Sequence, residues 1–224
     1  MLLLRTNKDE TMTRTLTLLL ALAGVFSTAH AQDVQRGSTK VQMCIGCHGI
    51  VGYQGDFPQV YKVPKIAGQD ARYIASALTA YRAGDRKHPT MHSVASSLSD
   101  QDIADVAAYY AQLGKPDAPV PDALAKPIPE NLRTAMATCV SCHGVNFSKP
   151  TDPSTIPRLA GQYADYLQVA LRSYKIEGNP HYGRSNAVMG AMAKPLKDET
   201  IAEIADYLGS LPGELRTVPQ PKFK

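Results

Sequence analysis

The sequence predicts an all-α protein made of two similar halves. Apolar residues recur at helical spacing in several segments, and no alternating apolar pattern is long enough to predict a strand. A C-x-x-C-H motif occurs twice, at residues 44–48 and 139–143. Aligning the two motifs also aligns residues 63–86 with 156–179 and residues 91–113 with 189–211. An internal repeat of this length predicts two tandem domains of the same fold.

The helical pattern is expected to be the same in both halves. A short helix leads into each motif, and a further helix begins near Gln69 or Gln162. A loop that carries Met91 or Met189 is expected next. The last helix of the first half has the clearest pattern, a capping-box pair followed by apolar residues with a period near 3.6: Ser99, Asp102, Ile103, Val106, Ala107, Tyr110 and Leu113.

The chain divides into four segments. Residues 1–31 are expected to be a signal peptide, because an apolar run at 16–26, too short to span a bilayer comfortably, is followed by the small-x-small sequence Ala29–Ala31. Cleavage before Gln32 predicts export to the periplasm. An uncleaved anchor and a translation start at Met12 remain alternatives. Residues 32–113 and 131–224 form the two domains, and the five prolines of residues 114–130 predict an extended, semi-rigid linker.

The charge distribution excludes a nucleic-acid-binding function. The whole chain has a formal net charge of +4, and its basic residues are interleaved with acidic ones rather than clustered. Removing the leader removes three basic and two acidic residues, which leaves a charge of +3.

All four cysteines lie in the two motifs, and their spacing indicates covalent attachment of haem. A disulfide framework does not require a His directly after the second Cys. A redox dithiol normally lies at the mouth of a βαβ unit, which this helical pattern lacks, and a zinc site suits a reducing compartment better than an exported protein. C-x-x-C-H is the specific signal for c-type haem. Two thiols on one helical turn reach the two vinyl groups, and the next residue then lies beneath the iron.

The motifs therefore predict two covalently bound haem c groups. Cys44 and Cys47 form the thioethers of the first, and Cys139 and Cys142 form those of the second. His48 and His143 are the expected proximal iron ligands. The carbonyls of Pro64 and Pro157 are candidates to accept the outer N–H of these histidines, which would fix the orientation of each ring.

Met91 and Met189 are the expected sixth ligands. Each lies seven residues before the Leu that precedes the last helix, so the two positions are equivalent, and a thioether sulfur raises the reduction potential of haem iron. Met192 remains a rival to Met189 in the second half. The histidines outside the motifs are assigned to surface or loop hydrogen bonding: His88, His92 and His181. Several residues are candidates to approach the haem propionates: Arg72, Arg82, Arg172, Tyr73, Tyr81, Tyr166 and Tyr174.

Together these motifs resemble the class I c-type cytochromes, and specifically the two-haem cytochrome c4 group. The resemblance rests on C-x-x-C-H-G twice, on P-x-[IL]-A-G-Q after each motif, on a Met before a capped terminal helix and on the proline-rich link. It implies two cytochrome c folds packed about a pseudo-twofold axis, with the haem edges facing each other near the domain boundary. The second half departs from the first in a longer segment at residues 177–190, which leaves the choice between Met189 and Met192 open.

The resemblance implies a periplasmic electron carrier rather than an enzyme. It would shuttle single electrons between respiratory donors and a terminal oxidase or reductase. The expected partners are redox proteins such as a membrane cytochrome complex, with peripheral membrane association left open. One alternative is a di-haem enzyme, a peroxidase or a thiosulfate-oxidising cytochrome, which needs an iron with a vacant or labile position. Another is a haem subunit of a dehydrogenase complex, such as one with a sulfide-oxidising flavoprotein.

Overall fold

The structure is a computed structural model that describes residues 32–114, 116 and 120–219. The predicted signal peptide therefore lies outside the described residues. The helices of the first half are α1 (Val34–Lys40), α2 (Gln42–His48), α3 (Ala71–Ala83), α4 (Pro89–Ser96) and α5 (Asp100–Gln112). In the second half a short 3₁₀ turn (Glu130–Leu132) precedes α6 (Arg133–His143), α7 (Ala164–Ser173), α8 (Ala187–Ala193) and α9 (Asp198–Gly209). The predicted all-α class is confirmed.

Two short helices, rather than one, lead into the first motif. The side chain of Asp33 caps α1 by accepting hydrogen bonds from the backbone N–H groups of Gln35 and Arg36. The helix breaks at Val41, and α2 then ends at His48. Helix α1 crosses α5 closely at Gly37, where a Cβ atom would lie only 2.2 Å from the backbone oxygen of Asp105. Only glycine allows this close packing of α1 against α5.

Each half has its own hydrophobic cluster. The first cluster is formed by Val41 together with residues of α2, α3, α4 and α5, including Val106 and Tyr110. The second is formed by α6, α7 and α9 around Met136 and Leu208. The core side chains of α5 and α9 face inward at the predicted helical spacing. The capping box predicted at Ser99 and Asp102 is confirmed, with both of its reciprocal hydrogen bonds present.

The segments that carry Met91 and Met189 are helices, so the prediction of a loop there is wrong. Helix α4 has Pro at its first position, and the ring of His88 caps it by accepting from the backbone N–H of Met91. Helix α8 is capped in the same way by the side chain of Asn186, which accepts from the N–H of Met189. These helices have only eight and seven residues, which is too short for a periodic pattern to show.

Two pairs of two-residue antiparallel strands accompany the helices. Strand β1 (Gln54–Gly55) pairs with β2 (Tyr61–Lys62) within the first half. Strand β3 (Arg86–Lys87) pairs with β4 (Gly183–Arg184), which joins the two halves. The sequence did not predict these strands, because two residues cannot display alternation and because β3 and β4 are far apart in the chain.

The described part of the proline-rich link packs on the second half. The side chain of Asn146 donates a hydrogen bond to the backbone oxygen of Pro121 (2.7 Å), and the hydroxyl of Tyr207 donates to that of Lys126 (2.8 Å). No helix among residues 32–114, 116 and 120–219 is long and apolar enough to cross a membrane.

Candidate functional site

The four cysteines lie on the last turns of α2 and α6, where helical geometry places each pair on one face. All four are free and half-buried. Burial raises the pKa of the Cys44 thiol to about 11, with a further contribution from Cys47, and it also raises the pKa of Cys139. Redox-active C-x-x-C thiols instead have lowered pKa values. The raised pKa values of Cys44 and Cys139 therefore do not favour a thiol–disulfide exchange function.

Each motif ends on a histidine whose ring is held by a proline carbonyl. The Nδ1 atom of His48 lies 2.8 Å from the backbone oxygen of Pro64, and that of His143 lies 2.9 Å from the oxygen of Pro157. These contacts confirm the predicted hydrogen bonds. A carbonyl can only accept, so Nδ1 carries the proton in both rings and Nε2 remains free to bind a metal.

The surroundings of both histidines favour the neutral imidazole that a metal requires. Burial lowers the pKa of His48 and of His143, while the bond to the proline carbonyl opposes this effect. His143 is only 5% exposed, whereas His48 is half-buried. Both rings are therefore neutral at physiological pH, with the lone pair of Nε2 available.

The methionines of the second half occupy different surroundings. Met189 is half-buried near the start of α8. Met192 is 40% exposed, and its sulfur accepts a hydrogen bond from the hydroxyl of Thr138 (3.5 Å), the residue directly before Cys139. Met91, the counterpart of Met189, packs against the first hydrophobic cluster. The structure thus places Met192 beside the cysteine motif and Met189 in the position that matches Met91.

The other histidines among the described residues make local hydrogen bonds or are exposed. In addition to capping α4, His88 has its Nε2 atom 3.2 Å from the hydroxyl of Tyr61. The Nδ1 atom of His92 lies 2.9 Å from the backbone oxygen of Tyr81. His181 is exposed in the segment before β4.

Two arginines that no sequence motif pointed to meet where the halves join. Arg86 and Arg184 are paired in strands β3 and β4. Both donate to the hydroxyl of Tyr166, at 2.7 Å from Arg86 and 3.2 Å from Arg184. Arg86 also donates to Tyr73 and stacks over Tyr81, and Arg184 stacks over Tyr174. A signal for them was present, because each arginine lies five residues before Met91 or Met189.

This arginine pair fits the acidic groups of haem. No ion pair joins either guanidinium to a carboxylate of the described residues, and the Nε atom of Arg86 is buried without a hydrogen-bond partner. A bound anion would satisfy the unused donor of Arg86 and offset the two neighbouring positive charges, and a guanidinium matches a carboxylate in shape. Haem propionates would supply such carboxylates. The predicted arginines lie elsewhere: Arg72 contacts Asp70, Arg82 contacts Asp100 and Arg172 contacts Asp198.

The donor set also fits haem better than zinc. No group of three or more His, Cys, Asp or Glu side chains that could hold a metal ion occurs in the part of the chain that the structure describes. Each half instead offers the imidazole nitrogen of its motif histidine, two thiols on one helical face and the thioether of a methionine from another helix. These are the donors of a His/Met-ligated c-type haem.

Comparisons with known proteins agree with this donor set. The family model described as cytochrome c matches residues 34–114 and 133–212. Cytochrome c4 of Azotobacter vinelandii is 32% identical over 216 residues, an alignment that covers 89% of this chain and 100% of that protein. The crystal structure of reduced cytochrome c4 from Pseudomonas stutzeri has a TM-score of 0.58 and 27% identity, and the match covers 81% of this chain and 100% of that one.

A further relative is named after the enzyme from which it accepts electrons. A thiosulfate dehydrogenase electron acceptor from Stutzerimonas stutzeri (strain A1501) is 27% identical over 203 residues. The alignment covers 87% of this chain and 90% of that protein.

Proposed function

Because the chain belongs to the cytochrome c family, in the two-haem cytochrome c4 group, we propose that it carries single electrons in the periplasm from respiratory donors to a terminal oxidase or reductase. The relationship makes the chain a di-haem electron-transfer protein with two covalent haem c groups. The observation that carries the proposal is the matched pair of bonds from the motif histidines to the carbonyls of Pro64 and Pro157.

The attachment residues follow from the two motifs. Cys44 and Cys47 carry the first haem, and Cys139 and Cys142 carry the second. The free state of all four cysteines supports this assignment, since no disulfide has to be broken before attachment. His48 and His143 are the proximal ligands, supported by their neutral rings and free Nε2 atoms.

Met91 and Met189 are the sixth ligands. Their matched positions near the starts of α4 and α8 support this assignment. Met192 is the weaker candidate because its sulfur is engaged by Thr138 beside the attachment motif. A ligand on the distal side should come from a segment away from the motif.

This ligand set favours a carrier over an enzyme. Bound haem supplies one-electron redox chemistry. With His48 and Met91, and His143 and Met189, as its two protein ligands, each iron would have no vacancy for a substrate. Arg86 and Arg184 would neutralise the propionates between the halves, and the hydroxyls of Tyr73 and Tyr166 hold the two guanidinium groups in place. Contacts with redox partners are expected to be small and transient.

The predicted domain division is part of the proposal. Residues 32–113 and 131–224 form two domains joined by the link at 114–130. Two separate hydrophobic clusters support the division. The leader at residues 1–31 would direct export to the periplasm.

A second donor class is supported by the relatives. Proteins called thiosulfate dehydrogenase electron acceptor align over most of this chain. The chain would then accept electrons from a dehydrogenase of a reduced sulfur compound and still act as a carrier.

The proposal is tested with the mature protein from a host that attaches c-type haem. Anaerobic titration should deliver two electrons per chain, and membranes that contain a terminal oxidase should reoxidise the reduced protein. Export is tested by finding the protein in the periplasmic fraction. Carbon monoxide binding to the untreated protein, or oxidation of thiosulfate by the protein alone, would contradict the carrier and favour the enzyme.

A further inference from the structure

Two buried glutamines connect the halves in a reciprocal pattern. Gln69 and Gln162 end the repeated P-x-[IL]-A-G-Q segments, and each is only 5% exposed. The Nε2 atom of Gln162 donates to the backbone oxygen of Lys65 (2.9 Å), and that of Gln69 donates to the oxygen of Arg158 (3.1 Å). Each glutamine thus satisfies a backbone group of the opposite half.

The side-chain oxygen of each glutamine also accepts a hydrogen bond from a backbone N–H of the opposite half. The Oε1 atom of Gln162 accepts from the backbone N–H of Lys65 (2.9 Å), and that of Gln69 accepts from the N–H of Arg158 (3.0 Å). Lys65 follows Pro64 and Arg158 follows Pro157. The N–H that bonds to the glutamine therefore belongs to the same planar peptide group as the carbonyl that holds the motif histidine.

The result is a continuous chain of two hydrogen bonds through one peptide group. In the first half it runs from His48 Nδ1–H to the Pro64 carbonyl (2.8 Å), and from the Lys65 N–H to Gln162 Oε1 (2.9 Å). Conjugation in the peptide links the two ends, so an acceptor on the N–H makes the carbonyl a stronger acceptor. The second half repeats this chain from His143 to Gln69.

Lys65 and Arg158 also bond to the backbone directly beside the opposite glutamine. The side chain of Lys65 donates to the backbone oxygen of Gly161 (2.6 Å), and that of Arg158 donates to the oxygen of Gly68 (2.8 Å). The N–H groups of these two glycines bond to the last helix of their own half. Each glutamine is therefore anchored on its own domain while it contacts the other.

We propose that Gln162 and Gln69 are positioning residues that tune the haem of the opposite half. Each strengthens the hydrogen bond on the axial histidine across the boundary, His48 for Gln162 and His143 for Gln69. A stronger bond on Nδ1–H makes the imidazole a better donor to iron and stabilises the ferric state. Each glutamine therefore lowers the reduction potential of the haem in the opposite half. This inference rests on the proposed haem ligands.

The test measures both potentials in variants that remove one amide. Gln162→Met has a similar shape but makes no hydrogen bond, and it should raise the potential of the haem bound by His48 while leaving the other unchanged. Gln69→Met should do the reverse. We expect the ferric-to-ferrous equilibrium to change by about threefold, which is about 28 mV for a one-electron couple. The two haems are followed separately by the NMR signals of their methyl groups.

Two further variants separate tuning from a general loosening of the domains. Ser76→Ala removes a different hydrogen bond between the halves, from the Ser76 hydroxyl to the backbone oxygen of Ser154 (2.9 Å), and should shift neither potential. Gln162→Glu keeps an acceptor for the Lys65 N–H and should not raise the potential of the His48 haem.

The proposal requires that each Met variant shifts the potential of the haem in the opposite half and leaves the other haem unchanged. Unchanged potentials in both Met variants, a shift of the haem in the variant's own half, or equal shifts of both haems would overturn it. Faster exchange of the His48 Nδ1 proton in Gln162→Met, but not in Gln69→Met, would support it. Mass spectrometry of the wild-type protein first establishes that two haems are present, so a failure of the proposed function is recognised separately.

Discussion

The replacement of Gly68 by alanine should destabilise the protein much more than the replacement of Gly84. Both glycines have left-handed backbone angles, with φ of +81° and +83°. A Cβ atom on Gly68 would lie 2.3 Å from the backbone oxygen of Glu214, whereas a Cβ atom on Gly84 would have no atom within 4 Å. The two positions therefore share the conformational penalty and differ in the steric one.

The magnitudes follow from these two contributions. The left-handed conformation costs an alanine about 1–2 kcal/mol at either position. At Gly68 the backbone of Glu214 must also move by about 1 Å to reach ordinary contact, and overpacking of this kind costs about 1–3 kcal/mol more. The movement would strain the hydrogen bond from Arg216 N–H to the Ala67 oxygen (2.9 Å). We therefore expect losses of about 2–5 kcal/mol for Gly68→Ala and about 1–2 kcal/mol for Gly84→Ala.

The assay is urea unfolding of both holo variants, followed by circular dichroism and by haem absorbance. Linear extrapolation gives the free energy of unfolding, and unchanged slopes show that the two variants unfold by the same process. Gly68→Ala should also weaken the contact between the halves, because Arg158 donates to the Gly68 oxygen. Equal losses in the two variants would refute the steric argument.

Two further predictions concern the iron ligands and acid stability. Met91→Ala and Met189→Ala should each allow one iron to bind carbon monoxide, and each should halve the long-wavelength absorption band of Met-ligated ferric haem. Met192→Ala should do neither. If Met192→Ala alone exposed the second iron, Met192 rather than Met189 would be its ligand. A hydrogen bond from Lys40 helps to lower the pKa of Asp102 from 3.8 to about 2, so the carboxylate stabilises the fold above about pH 4, and this contribution is lost as the pH falls through about 2. Asp102→Asn should therefore lower the free energy of unfolding at neutral pH and flatten its dependence between pH 4 and pH 2, and an unchanged acid limb would contradict this.

The long helices could be predicted from the sequence, but the short ones could not. Helix α5 has a capping box and thirteen residues, so both its start and its buried face show in the pattern. Helix α4 is capped by the ring of His88, which is not among the usual N-cap residues. Its eight residues provide too few apolar positions for a period to be recognised.

The parts of the site that lie within one motif were predictable, and the parts that need both halves were not. C-x-x-C-H specifies its own chemistry, and the hydrogen bonds to Pro64 and Pro157 were expected from the repeated prolines. Arg86 and Arg184 come together only when β3 and β4 pair. The repeated A-G-Q sequence was visible, but the contact of Gln162 with the Lys65 peptide depends on how the domains dock, and spacing along the chain does not reveal docking.

The central claim is that each half binds one haem through two thioethers, and mass spectrometry of the denatured holoprotein tests it most directly. The mature chain should carry the mass of two haem groups after unfolding. Only one haem should remain when Cys44 and Cys47 are replaced by alanine, and only one when Cys139 and Cys142 are replaced. A wild-type chain with fewer than two covalent haems, or haem that is released on denaturation, would contradict the account.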